Sequence, residues 1–158
     1  MPINPPEISP YAKVGGLVWF ARLLNKARLH AAGKLGPEFT PWVGKGFDGR
    51  CLRFLSVEYS ALLARLSDGG TDEEILEWCY QQGRRPSEEE ILIFNEFMTK
   101  RGIRDTDKPG QVEDYKAGYG FAGRADLQTY FDVIEADEGR SGLNQSPDRP
   151  RPSGVDQV

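Results

Sequence analysis

Two short segments restrict this chain more than any other feature: Thr71-Asp-Glu-Glu74 and Ser87-Glu-Glu-Glu90. Each sets a hydroxyl residue three positions ahead of a glutamate, at the head of a run with apolar residues at helical spacing. A Ser or Thr oxygen at a helix entrance accepts the backbone N–H three residues on, and the glutamate reaches back to the entrance N–H. The runs "DEEILEWCYQQ" and "EEEILIFNEFMTKR" close at Gly83 and Gly102, where a residue lacking Cβ ends a helix at little steric cost. Acids lead both runs and bases trail the second, as the helix dipole favours. No stretch keeps the period-two alternation of a half-buried strand.

The remaining segments extend the same pattern. Gly16 to Ala32 has helical spacing and is closed by Gly33. A short helix is expected from Asp48, over "DGRCLRFL". Ser56 is expected to cap "VEYSALLARLS", with Glu58 in its first turn and Gly69 and Gly70 as the stop. "QVEDYKAGYGFAGR" reads as a short helix or turn, and "ADLQTYFDVIEADE" as a last helix capped at Asp126. The expectation is an all-α fold of about six or seven helices, one compact domain over residues 13–139. Residues 1–12, rich in proline, read as an extended arm. Residues 140–158, with little apolar content and no periodicity, read as a disordered C-terminal tail. The loop "GKLGPEFTPWVGKGFDGR" carries Phe39, Trp42 and Phe47, which argues that it folds back onto the body.

Composition narrows the classes of function. With 158 residues, 39% hydrophobic and 28% charged, the chain suits a soluble globular domain. No apolar run approaches the roughly 18–20 residues of a membrane span. The start "MPINPPEISPYAK" has prolines where a secretion signal needs a basic region and an apolar core, so a cytoplasmic protein is expected. A net charge of −4 argues against nucleic acid as a general partner. Cys51 and Cys79 form no CxxC pair and read as reduced, buried thiols. The single histidine, His30, has no second histidine to complete a familiar zinc site, so no metal is expected. Two segments match GxGxxG, at Gly44–Gly49 and Gly118–Gly123. Neither follows an expected strand, and neither supplies a P-loop lysine, so no nucleotide cofactor is expected. The second match is expected to open a helix. No GxSxG elbow is present, and no catalytic residue is assigned.

One segment departs from ordinary amphipathic design. On a helix at 100° per residue, Arg22, Lys26, Trp19 and His30 of "GGLVWFARLLNKARLH" fall within about 80° of one another, with apolar residues on both flanks. Two cations in an apolar setting repel unless something acidic neutralises them. Three readings follow. The stripe is solvated, its stems covering the core. Or it pairs with acids from the later part of the chain, since residues 51–158 hold 13 Lys/Arg against 21 Asp/Glu. Or it binds a carboxylate or phosphate. The candidate ligand-binding set is Trp19, Arg22, Lys26 and His30, with Asp126 and Tyr130 from the acidic last helix. In an enzymatic variant Lys26 acts as a base or amine nucleophile. The alternative function is a non-catalytic module that docks a protein through the aromatic loop at 39–47 or an acidic helix face.

Four segments together resemble a known family: "GGLVWFARLLNKAR" (Gly15 to Arg28), "FDGRCLRFLSV" (Phe47 to Val57), "TDEEILEWC" (Thr71 to Cys79) and "GRADLQTYFDVIEADEG" (Gly123 to Gly139). They are similar to the bacterial domain-of-unknown-function family 5069 (DUF5069), over about residues 9–139. The family pattern of glycine pair, aromatic, arginine and lysine is met by Gly15, Gly16, Trp19, Arg22 and Lys26. Its closing turn is resembled by Gly123, Arg124, Asp126 and Phe131, with Ala125 where a second acid is expected. The resemblance implies a small cytosolic helical protein and no known activity.

Overall fold

A computed structural model describes residue 6 and residues 8–140. Of the expected tail only Arg140 is described, held by Glu135 and Glu138; residues 141–158, and all of the arm before residue 8 except Pro6, lie outside the described residues. The fold is all-α, with no strand among the described residues. Among the described residues seven helices follow in order: α1 (Phe20–Ala31), α2 (Gly46–Leu55), α3 (Tyr59–Leu66), α4 (Asp72–Gln82), α5 (Glu88–Lys100), α6 (Gln111–Gly118) and α7 (Tyr130–Asp137). A single 3-10 turn, Thr40–Trp42, interrupts the loop between α1 and α2.

The hydroxyl signals behave as capping physics requires. Thr71 Oγ1 accepts the Glu74 N–H at 3.2 Å and starts α4. Ser87 and Glu90 exchange both bonds of a capping box at 3.1 Å and start α5. A third box starts α7, where Thr129 takes the Asp132 N–H and Asp132 returns to the Thr129 N–H. Asp126 therefore does not cap the last helix. It lies in the preceding turn, paired with Arg124.

Three other boundaries also move. Helix α1 begins at Phe20 rather than Gly16. Gly15 and Gly16 have positive φ, closing a turn in which Val14 and Leu17 exchange backbone hydrogen bonds, and Trp19 itself stands at φ 71°. Ser56 does not cap α3. It ends α2 in the left-handed conformation at φ 58°, and Glu58 precedes α3 without a side-chain cap. The Gly118–Gly123 segment opens no helix: Gly118 ends α6 and a turn follows, whereas the first match, Gly44–Gly49, runs into α2.

Helix α1 packs on α2 and α3, α3 on α4, and both α5 and α6 on α7. Their shared interior holds Trp19, Phe20, Leu23, Leu24, Phe39, Phe47, Cys51, Leu55, Met98, Phe131 and Ile134, all essentially inaccessible. Trp19, Phe47 and Phe131 form its aromatic centre, with ring centroids 4.9–5.5 Å apart. Offset and edge-on contacts of this kind each add about 0.5–1.5 kcal/mol beyond their area. The aromatic loop at 39–47 thus folds inward: Phe39 and Phe47 are buried and Trp42 is half-buried. No helix among the described residues is long and apolar enough to cross a membrane.

Candidate functional site

The unusual stripe of α1 lies inside the protein. Arg22 and Lys26 are 0% exposed, a rare state for two cations one turn apart. Both lie beside the buried Trp19 ring, the guanidinium carbon 5.3 Å and the ammonium 5.8 Å from its centroid. The negative face of an indole attracts a cation, and more strongly where water is excluded.

Each cation meets an acid. Glu138, one residue beyond α7, receives both terminal nitrogens of Arg22 at 2.8 Å. The same guanidinium donates to the Ile8 carbonyl at 3.0 Å. Arg140 also donates to Glu138, and to Glu135 at 2.9 Å. Lys26 Nζ lies 2.9 Å from Asp48 of α2. The other Asp48 oxygen accepts the Trp19 indole N–H at 2.8 Å. Asp48 further accepts the Gly44 N–H at 3.2 Å, which fastens the glycine-rich loop to the core. An Asp in this position can pair with a cation and still hold a backbone turn, because a carboxylate has about four lone-pair sites.

The six expected site residues divide accordingly. Trp19, Arg22 and Lys26 come together. Tyr130 joins their aromatic surroundings through Phe47, at a centroid distance of 6.1 Å. Its hydroxyl is buried without a hydrogen-bond partner among the described residues. Burial, reinforced by the charge of Asp105, pushes its pKa up to about 12. His30 sits at the half-buried end of α1, where its Nδ1 lies 3.2 Å from the Tyr59 hydroxyl. Asp126 is not brought to the stripe, being exposed and held by Arg124 at 2.7 Å.

Asp48 and Glu138 are the functional partners that sequence reasoning did not place. Asp48 comes from the basic part of the chain, so counting charge by halves pointed elsewhere. Glu138 belongs to the acidic end that was expected to supply a counter-charge.

Linked to the stripe through Asp48 and Tyr59 is an open cavity of about 430 Å³, lined by Gly44, Gly49, Leu52, Arg53, Ser56, Val57, Glu58 and Tyr59. This volume falls in the range of small-molecule sites. Two of its walls are held by stripe residues. Lys26 holds Asp48, which holds Gly44, while His30 contacts Tyr59. Burial and the Asp48 charge push the Tyr59 pKa up to about 12. The phenol is therefore protonated at neutral pH, with its hydroxyl within hydrogen-bond distance of the His30 Nδ1. Gly44, at φ 72°, lets the Tyr59 ring close against the loop: a Cβ there would stand 3.0 Å from the ring. Arg53, exposed, forms no ion pair among the described residues, and neither does Glu58. Among the described residues no group of three His, Cys, Asp or Glu could hold a metal ion.

Comparison with known proteins adds one match. A family described as Domain of unknown function (DUF5069) matches residues 4–140. No curated protein matches the chain.

Proposed function

The chain belongs to the DUF5069 family, and from that premise we propose that it binds a small molecule bearing a carboxylate, in the cavity beside α2. The observation that carries this reading is Arg53, a guanidinium at a concave surface that forms no ion pair among the described residues. Several other arginines of the surface have an acid close by: Arg84 has Glu90, Arg101 has Asp107, Arg124 has Asp126. A planar fork with free donors suits a carboxylate or phosphate. Glu58 lines the same cavity and repels a dianion more than a monoanion, which favours carboxylate over phosphate. Ser56, held at φ 58°, and the protonated Tyr59 add polar groups at the same wall.

In this reading the α1 stripe is support rather than contact surface. Arg22 and Lys26 spend their charge on Glu138 and Asp48, and Lys26 and His30 fix the two walls. The reading is of binding, with no reaction attached.

A thermal-shift series with small mono- and dicarboxylates, against inorganic phosphate, tests it. A carboxylate at 100 times its Kd stabilises the folded protein by about 2.7 kcal/mol. Arg53→Ala abolishes that gain and leaves the ligand-free melting temperature nearly unchanged, because Arg53 is exposed. If no carboxylate stabilises the wild type, or if Arg53→Ala is stabilised equally, the reading fails.

A further inference from the structure

Helix α5 carries an outward face on which no other helix packs among the described residues, only the Arg50 and Arg101 guanidinium groups lying beside Phe97. Ile93 is 62% exposed, Leu92 59% and Phe97 44%. Beside them runs an apolar groove of about 330 Å³, lined by Phe54, Glu90, Ile93, Phe94 and Phe97. Phe54 and Phe94 stack at 4.4 Å to form its floor. Single exposed apolar residues are ordinary, but a contiguous patch with a groove marks an interaction surface.

The charges around the patch say what fits it. At 100° per residue, Glu89, Ile93, Glu96, Phe97 and Lys100 fall on one face of α5, within about 100° of one another. All five are exposed. The acid Glu89 lies near the start of the helix and the base Lys100 at its end, with Ile93 and Phe97 between. The face is therefore self-complementary when turned end for end. The midpoint of Glu89 and Lys100 falls within half a residue, about 0.75 Å, of the midpoint of Ile93 and Phe97. One two-fold axis thus brings Glu89 to Lys100 twice while Ile93 and Phe97 interleave. Arg50 supplies a second cation at this surface. Its guanidinium lies 5.0 Å from the Phe97 ring and forms no ion pair among the described residues. With it the face presents two cations to balance Glu89 and Glu96.

We propose that α5 is the interface of an antiparallel homodimer, a second copy of this chain covering Ile93 and Phe97 and pairing its Lys100 with Glu89. An isologous contact of this kind is the commonest closed arrangement of soluble chains. The existing Lys100–Glu96 contact within the helix does not oppose it, because an exposed pair is worth little and an ammonium has three donors.

The test is the mass of the full-length protein by light scattering and sedimentation equilibrium, from about 1 to 100 µM. The wild type is expected to run as a dimer. Ile93→Asp and Phe97→Asp, each checked for unchanged helicity and melting, are expected to be monomeric. Using both guards against one of them unfolding. Glu89→Lys and Lys100→Glu each place like charges opposite one another twice, and each is expected to raise the dimer Kd about tenfold. The double swap, Glu89→Lys with Lys100→Glu, is expected to restore wild-type affinity. A wild type that stays monomeric at the highest concentration overturns the proposal. So does a dimer that survives both aspartate variants, or a double swap as weak as the single ones.

Discussion

Glu138 takes both terminal nitrogens of Arg22 across 116 positions of sequence, at 2.8 Å each. Two charges removed from water must each find a partner, and breaking such a pair costs more than the pair contributes, because the survivor stays buried alone. Arg22→Ala is therefore expected to lose about 3–5 kcal/mol in urea unfolding. Replacing both, Arg22→Met with Glu138→Leu, is expected to recover most of that loss. Arg140 is released, but it is partly exposed and keeps Glu135. A double variant as unstable as Arg22→Ala contradicts this account.

Lys26→Met removes the ammonium that lies against the Asp48 carboxylate, while the Trp19 indole and Gly44 amide bonds to it remain. A loss of about 3 kcal/mol or more is expected. Because Asp48 touches the Trp19 nitrogen directly, the tryptophan emission should shift as well. Unchanged stability together with unchanged emission would show that the pair is dispensable.

Alkaline pH should destabilise the fold. Burial pushes Cys79, Tyr59 and Tyr130 up to about 12, from ordinary values of 9.0, 10.0 and 10.0. These folded-state values lie above the unfolded ones, so their contribution is complete below about pH 9 and is lost as pH rises toward 12. Urea midpoints should be flat below pH 9 and fall above it. Tyr130→Phe should flatten part of that fall and cost little at neutral pH, because its hydroxyl has no hydrogen-bond partner among the described residues. The same burial makes both thiols poor nucleophiles, so iodoacetamide should label Cys51 and Cys79 only on unfolding.

Glycine replacements should separate by cause. A Cβ on Gly83 would stand 1.9 Å from the Leu55 carbonyl oxygen and 2.7 Å from that of Ser56. Both are backbone atoms, so Gly83→Ala must pry α4 from the end of α2. A loss of about 3 kcal/mol or more is expected. Gly33 has open space around it and only a positive φ of 68°, so Gly33→Ala should cost about 1–2 kcal/mol. Equal melting points for the two variants would refute the steric explanation.

Much of the fold was legible in local chemistry. A capping box acts within four residues, so α4 and α5 could be read from Thr71 and Ser87. Thr129 followed three later by Asp132 was the same signal with a shorter acid, and Asp126 was read in its place. Trp19 was harder, because nothing in a tryptophan announces a left-handed backbone. Tertiary packing imposes it, through the Asp48 bond and the Pro10 carbonyl that accepts the Trp19 amide. Ser56 failed for a related reason: a serine serves as an entrance cap or, less often, as a left-handed exit, and only the fold decides. Helical periodicity correctly grouped Arg22 and Lys26. Their acids could not be found that way, since Asp48 and Glu138 meet α1 only through the packing of other helices. Arg53 carried no signal at all, because an arginine within "DGRCLRFL" looks like any surface residue.

One guanidinium, that of Arg22, grips the Ile8 carbonyl near the front of the chain and the Glu138 carboxylate near its back. Front and back are thereby knotted at a single point in the interior. The carboxylate that holds this guanidinium follows 116 positions later, so the pair forms only once the turn after α7 has packed against α1. A chain cut just ahead of Glu138 should therefore be less stable by about the 3–5 kcal/mol that breaking this pair costs, however much of its helical body has already formed.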